Sequence, residues 1–327
     1  MKIRLWPKKR WSRATTVLLV ALFLPYGFSR VASVWRSLSV HSASDVAQGR
    51  TGPAARGLRI ASYNIAHGRG IRKSNWDGGN RAERMDLLDQ IAALLRKIDA
   101  DIVVLNEVDF DASWSHSTNQ ASYLAKHAGY HYWAEQRNLD FRFLLWTWRF
   151  GNAVLSKYPI TDAQVVSLPG YSTWETLLAG KKRGIICDIA VGDSAIRVIG
   201  THFSHRSESV RVHSAELLVT MAADSDLPTF VVGDLNSTPS GFPGSVRDRN
   251  GNNAVETFDR SGAFQRLPSM LPVTDADLTF HSVEPNSVID WILIPQDWMF
   301  LHYAVELSEH ADHRPVYADV ANASGTR

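Results

Sequence analysis

Apolar residues along this chain follow two rhythms. Short runs of β-branched and aromatic residues that stop abruptly at polar ones predict strands buried on both faces. The clearest is residues 229–232 (Thr-Phe-Val-Val), closed by Gly233 and followed by Asp234 and Asn236, with Pro239 preventing a central strand from continuing. Residues 58–65, 101–105, 153–156, 164–168, 184–191, 196–200, 288–294 and 313–320 read as further strands. The second rhythm has a helical period. It predicts a helix over residues 80–99, with Met85, Leu88, Ile91 and Leu95 on one stripe and Asn80 and Glu83 as a capping pair. Shorter helices are predicted over 120–127 and 207–222. Strands alternate with helices early and dominate later, which favours a layered α/β sandwich over a doubly wound parallel sheet.

The first 57 residues depart from this pattern. A cationic start precedes an uncharged run from Ala14 to Phe28, the layout of an export signal or a membrane anchor. The run is short for a full span and long for a signal core, and Trp6 and Trp11 suit a membrane interface. Residues 1–28 are therefore read as an anchor or a signal, with cleavage after Ser29 as the second outcome and a buried helix as the third. The cationic side stays in the cytoplasm, which leaves the body periplasmic or extracellular, and secreted if the segment is cleaved. Residues 29–57 read as a linker, most clearly the small, polar, breaker-rich part from 42 onward. One catalytic-size domain then covers residues 58–322. Residues 130–150 form an aromatic stretch with Trp133, Phe141, Phe143, Trp146, Trp148 and Phe150. Core packing is one reading of it, and contact with a bilayer or an acyl chain is the other.

Composition narrows the partners. The 327 residues are 45% hydrophobic, enough for one large core or two small ones. Formal net charge is +2, but Lys2, Arg4, Lys8, Lys9, Arg10 and Arg13 lie at the N-terminus, so the remainder carries −4. That body is not a basic surface prepared for a polyanion. Cys187, the single cysteine, lies in an apolar run and reads as core; it forbids an intrachain disulfide. Neither G-x-G-x-x-G nor G-K-[ST] occurs between a strand and a helix, so nucleotide-cofactor chemistry has no foothold.

Polar residues recur where the apolar strands end: Asn64, Glu107, His202, Asp234 with Asn236, Asp290, and Asp312 with His313. Several such ends in one domain predict a common site. Asp290, inside Val-Ile-Asp-Trp-Ile-Leu-Ile, needs a buried partner, and a histidine suits it because a carboxylate orients and charge-stabilises an imidazole. The set fits metal-assisted phosphodiester hydrolysis. Glu107, Asn64 and Asp312 offer oxygen ligands for magnesium, with manganese as the substitute. The His313–Asp290 pair would activate water, His202 and Asn236 would donate to the anionic transition state, and Asp234 would orient or deprotonate the nucleophile. No H-E-x-x-H and no paired cysteines point to zinc.

The ordered stations Ser62-Tyr-Asn64, Leu105-Asn-Glu107, Gly151-Asn-Ala-Val-Leu-Ser-Lys157, Gly200-Thr-His202, Gly233-Asp-Leu-Asn236, Ile289-Asp290 and Ser308-Glu-His-Ala-Asp312-His313 resemble the endonuclease/exonuclease/phosphatase superfamily. The resemblance covers residues 58 to about 320. It implies a four-layer α/β sandwich with two facing mixed β-sheets, magnesium on Glu107, and a phosphate contact from Arg183. A histidine at 202, where repair nucleases of this family carry tyrosine, and the lack of disulfides turn the resemblance toward its bacterial membrane-associated members. The expected substrate is a lipid headgroup or another small phosphoester. An extracytoplasmic DNA or RNA nuclease is the alternative, and an inert binding scaffold the third. His67, His116, His127, His205 and His281 are read as ordinary surface or core histidines.

Overall fold

A computed structural model describes residues 12–43, 49–52, 57–143, 145–174, 176, 180–270 and 274–323. Its helices are α1 (Arg13–Trp35), α2 (Arg81–Ile98), α3 (Gln120–Ala128), α4 (Glu208–Ala223) and α5 (Ala254–Ser261). Its strands are β1 (Leu38–Ser42), β2 (Leu58–Asn64), β3 (Ile102–Asp109), β4 (Tyr132–Phe143), β5 (Trp146–Ser156), β6 (Ile160–Ser167), β7 (Arg183–Val191), β8 (Ser194–His202), β9 (Thr229–Asp234), β10 (Phe264–Arg266), β11 (Asp290–Pro295), β12 (Trp298–Val305) and β13 (Val316–Asn322). One sheet runs β1-β4-β5-β3-β2-β13-β12 and the other β10-β11-β9-β8-β7-β6. Both are mixed: β2–β3 and β8–β9 are parallel within otherwise antiparallel ladders.

Strand alternation sorts side chains into three cores. Ile60, Ile102 and Val104 face Val198, Phe230, Val232 and Ile292 between the sheets. Their neighbours Ala61, Tyr63, Val103 and Leu105 turn outward under α2 and α3. On the far side, Val231, Ile199 and Leu293 pack beneath α4 and α5. The period of two puts successive residues on opposite faces, so a strand with helix on one side and sheet on the other is apolar throughout. The result is helix, sheet, sheet, helix, as the family resemblance implies. Cys187 is fully buried in the central core. Asn80 and Glu83 cap α2 reciprocally.

Several local expectations change. Residues 29–57 are not linker throughout: α1 runs on to Trp35, and β1 pairs antiparallel with β4. The cause is the open edge of β4, whose backbone groups need partners; Arg137 N also donates to Ser37 O at 2.8 Å. Residues 44–48 and 53–56 of that segment lie outside the described residues, as do Lys2 to Arg10, Trp6 and Trp11. Among the described residues no helix is long and apolar enough to cross a membrane. The apolar residues Val17, Leu18, Val20, Phe23, Leu24 and Phe28 of α1 are nevertheless exposed. The aromatic stretch divides: Tyr130 and Trp133 are core, whereas Trp146 is exposed beside the β4–β5 turn. Strand β12, half-buried at both ends and exposed at Leu301 and His302, shows no alternation and gave no sequence signal.

Candidate active site

Register assembles the first cluster. His202 at the end of β8 lies beside Asp234 at the end of β9, and Asp290 at the start of β11 lies beside Asp234 from the other side. Side chains in one cross-strand row share a face. Gly233 permits the approach: its φ is +143°, and a Cβ there would collide with the Thr201 carbonyl oxygen. From the facing sheet, Asn64 at the end of β2 and Asn106 within β3 lie side by side as the last pair of their parallel ladder. Asn64 Nδ2 donates to Asp234 Oδ2 at 3.1 Å, and Asn106 Oδ1 accepts from Asp234 N at 2.8 Å. Asn106 Nδ2 also donates to Asn152 Oδ1 at 2.8 Å and to Thr201 O at 3.1 Å, so one buried amide stitches the two sheets under the site.

Asp234 is the centre of this cluster. Its Oδ1 accepts from Asn236 N at 2.8 Å, and its Oδ2 lies 3.5 Å from His202 Nε2 and 3.7 Å from His313 Nε2. His313 Nδ1 meets Asp290 Oδ2 at 2.9 Å, the pair predicted from sequence. Burial pushes the Asp234 carboxyl up to about 7, against the pull of His313. Burial alone would lower His313, but the Asp290 and Asp234 carboxylates outweigh it and raise it to about 10. These groups share their protons as a set. His202 is lowered well below the usual histidine range by burial and by the Lys182 charge. Asn236 holds a left-handed backbone at φ +49° and donates Nδ2 to Phe203 O at 3.3 Å.

A second cluster adjoins the first. Pairing of β3 with β5 breaks between Leu105 and Val108, and Glu107 occupies the bulge with φ +52°. Bulges re-aim side chains, and strained backbone of this kind gathers at functional sites. Glu107 Oε2 lies 3.2 Å from Arg69 Nη1 and 3.4 Å from His67 Nε2, while Arg69 Nη2 reaches Asp312 Oδ2 at 2.9 Å. Burial would raise the Glu107 carboxyl, but His67, His202 and Arg69 hold it well below the usual carboxylate range. His67 Nδ1 is in turn held by Asp109 Oδ1 at 2.7 Å.

The two carboxylates Glu107 and Asp312 thus converge on one cation, the Arg69 guanidinium. Two convergent carboxylates offer the oxygen donors that magnesium or manganese takes. Asn64 is tied instead to Asp234. Asp234, Asp290 and His313 also present ligand atoms within 4.8 Å of one another. There the His313 Nδ1 is spent on Asp290, which suits proton handling better than metal binding.

Of the residues singled out in the sequence, His202, Asp234, Asn236, Asp290, His313 and Asn64 come together, and Glu107 and Asp312 meet beside them. Arg183 does not join. It opens β7 as a buried residue, and its Nη1 donates to the Arg137 carbonyl at 2.7 Å. Its neighbours Lys181 and Lys182 line the cavity beside Glu107 instead, with His67, Asn138, Phe150, His202 and His205. His67 was read as an ordinary histidine, yet it is paired and in the site. No sequence signal marked it: the bulge at Glu107 breaks the strand alternation that would otherwise place Asp109 on the Glu107 face.

Residues 61–313 match the Endonuclease/Exonuclease/phosphatase family, and the chain belongs to it. It is by class a hydrolase of phosphoester bonds. No curated protein matches the chain. Among solved structures, an endonuclease/exonuclease/phosphatase from Beutenbergia cavernae superposes with a TM-score of 0.59 at 20% identity, covering 82% of this chain and 72% of that one. A mannosyl-6-phosphatase from Bacteroides thetaiotaomicron gives 0.57 at 16%, covering 81% and 99%. The human Nocturnin catalytic domain with bound sulfate gives 0.58 at 13%, covering 88% and 97%. At these identities the likeness is one of fold.

Proposed function

We propose that this chain is a magnesium-dependent hydrolase of small phosphoesters, held at a membrane by its N-terminal segment with the catalytic body outside the cytoplasm. The observation that carries the reading is the arrangement around Asp234. One buried carboxylate faces two imidazoles and an amide beside a pair of carboxylates that already share a cation.

Glu107 and Asp312 would hold the ion, which would polarise a phosphoryl oxygen and offset charge on the leaving oxygen. The protein supplies the rest. Asp234 takes the proton of the attacking water at its carboxylate. Asp290 fixes His313 through Nδ1, so that Nε2 points toward Asp234 and the space where a phosphoryl oxygen would sit. His202 and Asn236 donate to the same group as charge develops on it. A cavity of about 180 Å³ adjoins Glu107 and His202 and is compatible with a small substrate group. The fold neighbour named for mannosyl-6-phosphate hydrolysis acts on a substrate of this kind. The exposed apolar residues of α1, together with Leu145 and Trp146, support membrane attachment and a lipid headgroup as one source of substrate.

The test uses the full-length chain in detergent, with magnesium or with EDTA. Bis-p-nitrophenyl phosphate, p-nitrophenyl phosphate, phospholipid vesicles and plasmid DNA are assayed side by side, with Asp234→Ala as the blank. Magnesium-dependent turnover of a small or lipid phosphoester that disappears in the variant is expected. Dominant plasmid nicking would replace this reading with a nuclease, and EDTA-insensitive turnover would remove the metal. Recovery of the chain in the soluble fraction of cells would remove the anchor.

A further inference from the structure

Exposed aromatic rings on the catalytic body are confined to one end of it. Among the described residues beyond α1 they are Trp76, Trp146, Tyr171 and Trp174, at 62, 59, 53 and 74% exposed. Trp76 lies on the connection after β2, Trp146 at the turn between β4 and β5, and Tyr171 and Trp174 on the connection from β6 to β7. Strand β2 ends at the site, on Asn64. Strand β5 runs antiparallel to β3, and β7 antiparallel to β8, so both begin at the end where Glu107 and His202 lie. All three connections therefore surround the site. Ile71 and Leu145 add exposed aliphatic side chains to the same loops, Leu145 at 93%. An apolar set gathered in this way marks a surface that meets another phase or molecule.

The rings stand on a packed base. Trp76 meets Trp114 edge-on at 5.9 Å between centroids, and Trp114 packs on Trp148 at 6.3 Å and on Phe150 at 6.0 Å. Phe150 lines the cavity beside Glu107. Trp148 faces Phe141 across the β4–β5 ribbon at 5.4 Å, a cross-strand pair that stiffens the ribbon below its exposed tip.

Helix α1 joins the body at this same end. Pairing of β1 with β4 runs from Ser42 opposite Tyr132 to Leu38 opposite Gln136, so the chain traced back from β1 heads along β4 toward the ribbon tip. Arg137 continues it, donating N to Ser37 O at 2.8 Å and Nη1 to Arg36 O at 2.9 Å, and α1 itself packs against β4. The exposed apolar residues of α1 are not a single stripe: Leu18 and Phe23 project about 140° apart at 3.6 residues per turn. A bilayer covers a helix from several sides at once, where a protein groove covers one, and tryptophan is the residue type that settles at its interface.

We propose that the site end of the body is a second membrane-docking surface, which lies against the bilayer interface and turns the mouth of the site toward the headgroups. The inference rests on the anchored-hydrolase reading above and adds the orientation of the body. Helix α1 and the exposed rings then share one covering, the bilayer, and the site lies between them.

The test places a nitrobenzoxadiazole label on the full-length chain at Ile71→Cys or Leu145→Cys. Asp193→Cys, in the exposed β7–β8 turn at the opposite end, is the reference; the native Cys187 is buried and does not compete for the label. The chain is reconstituted into phosphatidylcholine–phosphatidylglycerol vesicles with and without nitroxide-labelled lipid. Labels at 71 and 145 should be quenched about threefold or more, and the label at 193 little, as expected for groups at and away from the interface. In Leu145→Ser/Trp146→Ser/Trp174→Ser the label at 71 should lose its quenching, with turnover of bis-p-nitrophenyl phosphate in detergent unchanged. A chain that floats with the vesicles but shows equal quenching at all three positions, or none, would overturn the docking surface and leave the anchor standing. Quenching at 71 that survives in the triple variant would also overturn it. A wild-type chain that is dimeric in detergent, and monomeric in that variant, would assign the patch to a second copy instead. Failure to float would overturn the anchor and the docking surface together, while the bis-p-nitrophenyl phosphate assay reads the hydrolase independently of both.

Discussion

The site contains two imidazole–carboxylate pairs, one built on each sheet. Asp290 of β11 holds His313 at 2.9 Å, and Asp109 of β3 holds His67 at 2.7 Å. Each imidazole turns its Nε2 toward a second carboxylate, Asp234 at 3.7 Å and Glu107 at 3.4 Å. Each ring packs against a phenylalanine, Phe280 or Phe150. The difference is in the supporting carboxylates. Asp109 also accepts from Trp114 Nε1 at 2.7 Å, and its backbone N–H donates to Gln120 Oε1 at 2.9 Å. Asp290 keeps one carboxylate oxygen, Oδ1, buried without a hydrogen-bond partner. Buried polar groups are rarely left so unless function needs them. The same two residue types thus give a locked support beside Glu107 and a less saturated pair beside Asp234.

Substitutions on each side sharpen that contrast. The largest effect is expected at His313→Ala, a loss of about 100-fold or more in kcat, the cost of removing a group that acts on protons in the reaction. Asp290→Asn should produce most of the same loss, and the double variant little more, because the two act as one unit. An unchanged rate in His313→Ala would move the chemistry elsewhere. His67→Ala is expected to act through Glu107. Manganese affinity, read by electron paramagnetic resonance, should fall about tenfold, as when an outer partner of a metal ligand is removed. A 100-fold loss of kcat at full manganese affinity would make the two pairs equivalent and break the comparison. The smallest effect belongs to Trp114→Phe, which deletes one hydrogen bond to a buried carboxylate. It should cost about 1–2 kcal/mol in a denaturant titration, with kcat within a few-fold of the parent chain. A stability loss near zero would show that Asp109 is held adequately without it.

His313 was legible because its partner is conspicuous. A carboxylate inside Val-Ile-Asp-Trp-Ile-Leu-Ile must be buried, and a buried carboxylate demands company. Asp109 carried no such alarm, since a strand-end acid in Glu-Val-Asp reads as the start of a loop. His67 was obscured further by its place in an irregular turn, where φ is +54° and no periodicity says which way a side chain points. The Lys181-Lys182-Arg183 run shows the same limit from the other side. The resemblance implies a phosphate contact from Arg183, whereas Lys181 and Lys182 are the members of the run that line the cavity beside Glu107. Arg183 pairs with the interior of β4, and only the turn pinned by Gly180 sends its two neighbours to the cavity.

The sequence by itself determined the layers, most strand ends and the polar residues that close them. Those depend on burial along each strand, a property written locally as apolar runs that end in Asn, Asp, Glu or His. Only the tertiary structure decided which of those ends meet. The parallel register of β8 with β9 and the antiparallel register of β11 set His202, Asp234 and Asp290 in one row. The bulge at Glu107 turned a strand residue into the site. The edge of β4 recruited β1 out of a segment that reads as linker. Each of these outcomes depends on pairing between residues far apart in the chain, and no local pattern records a partner.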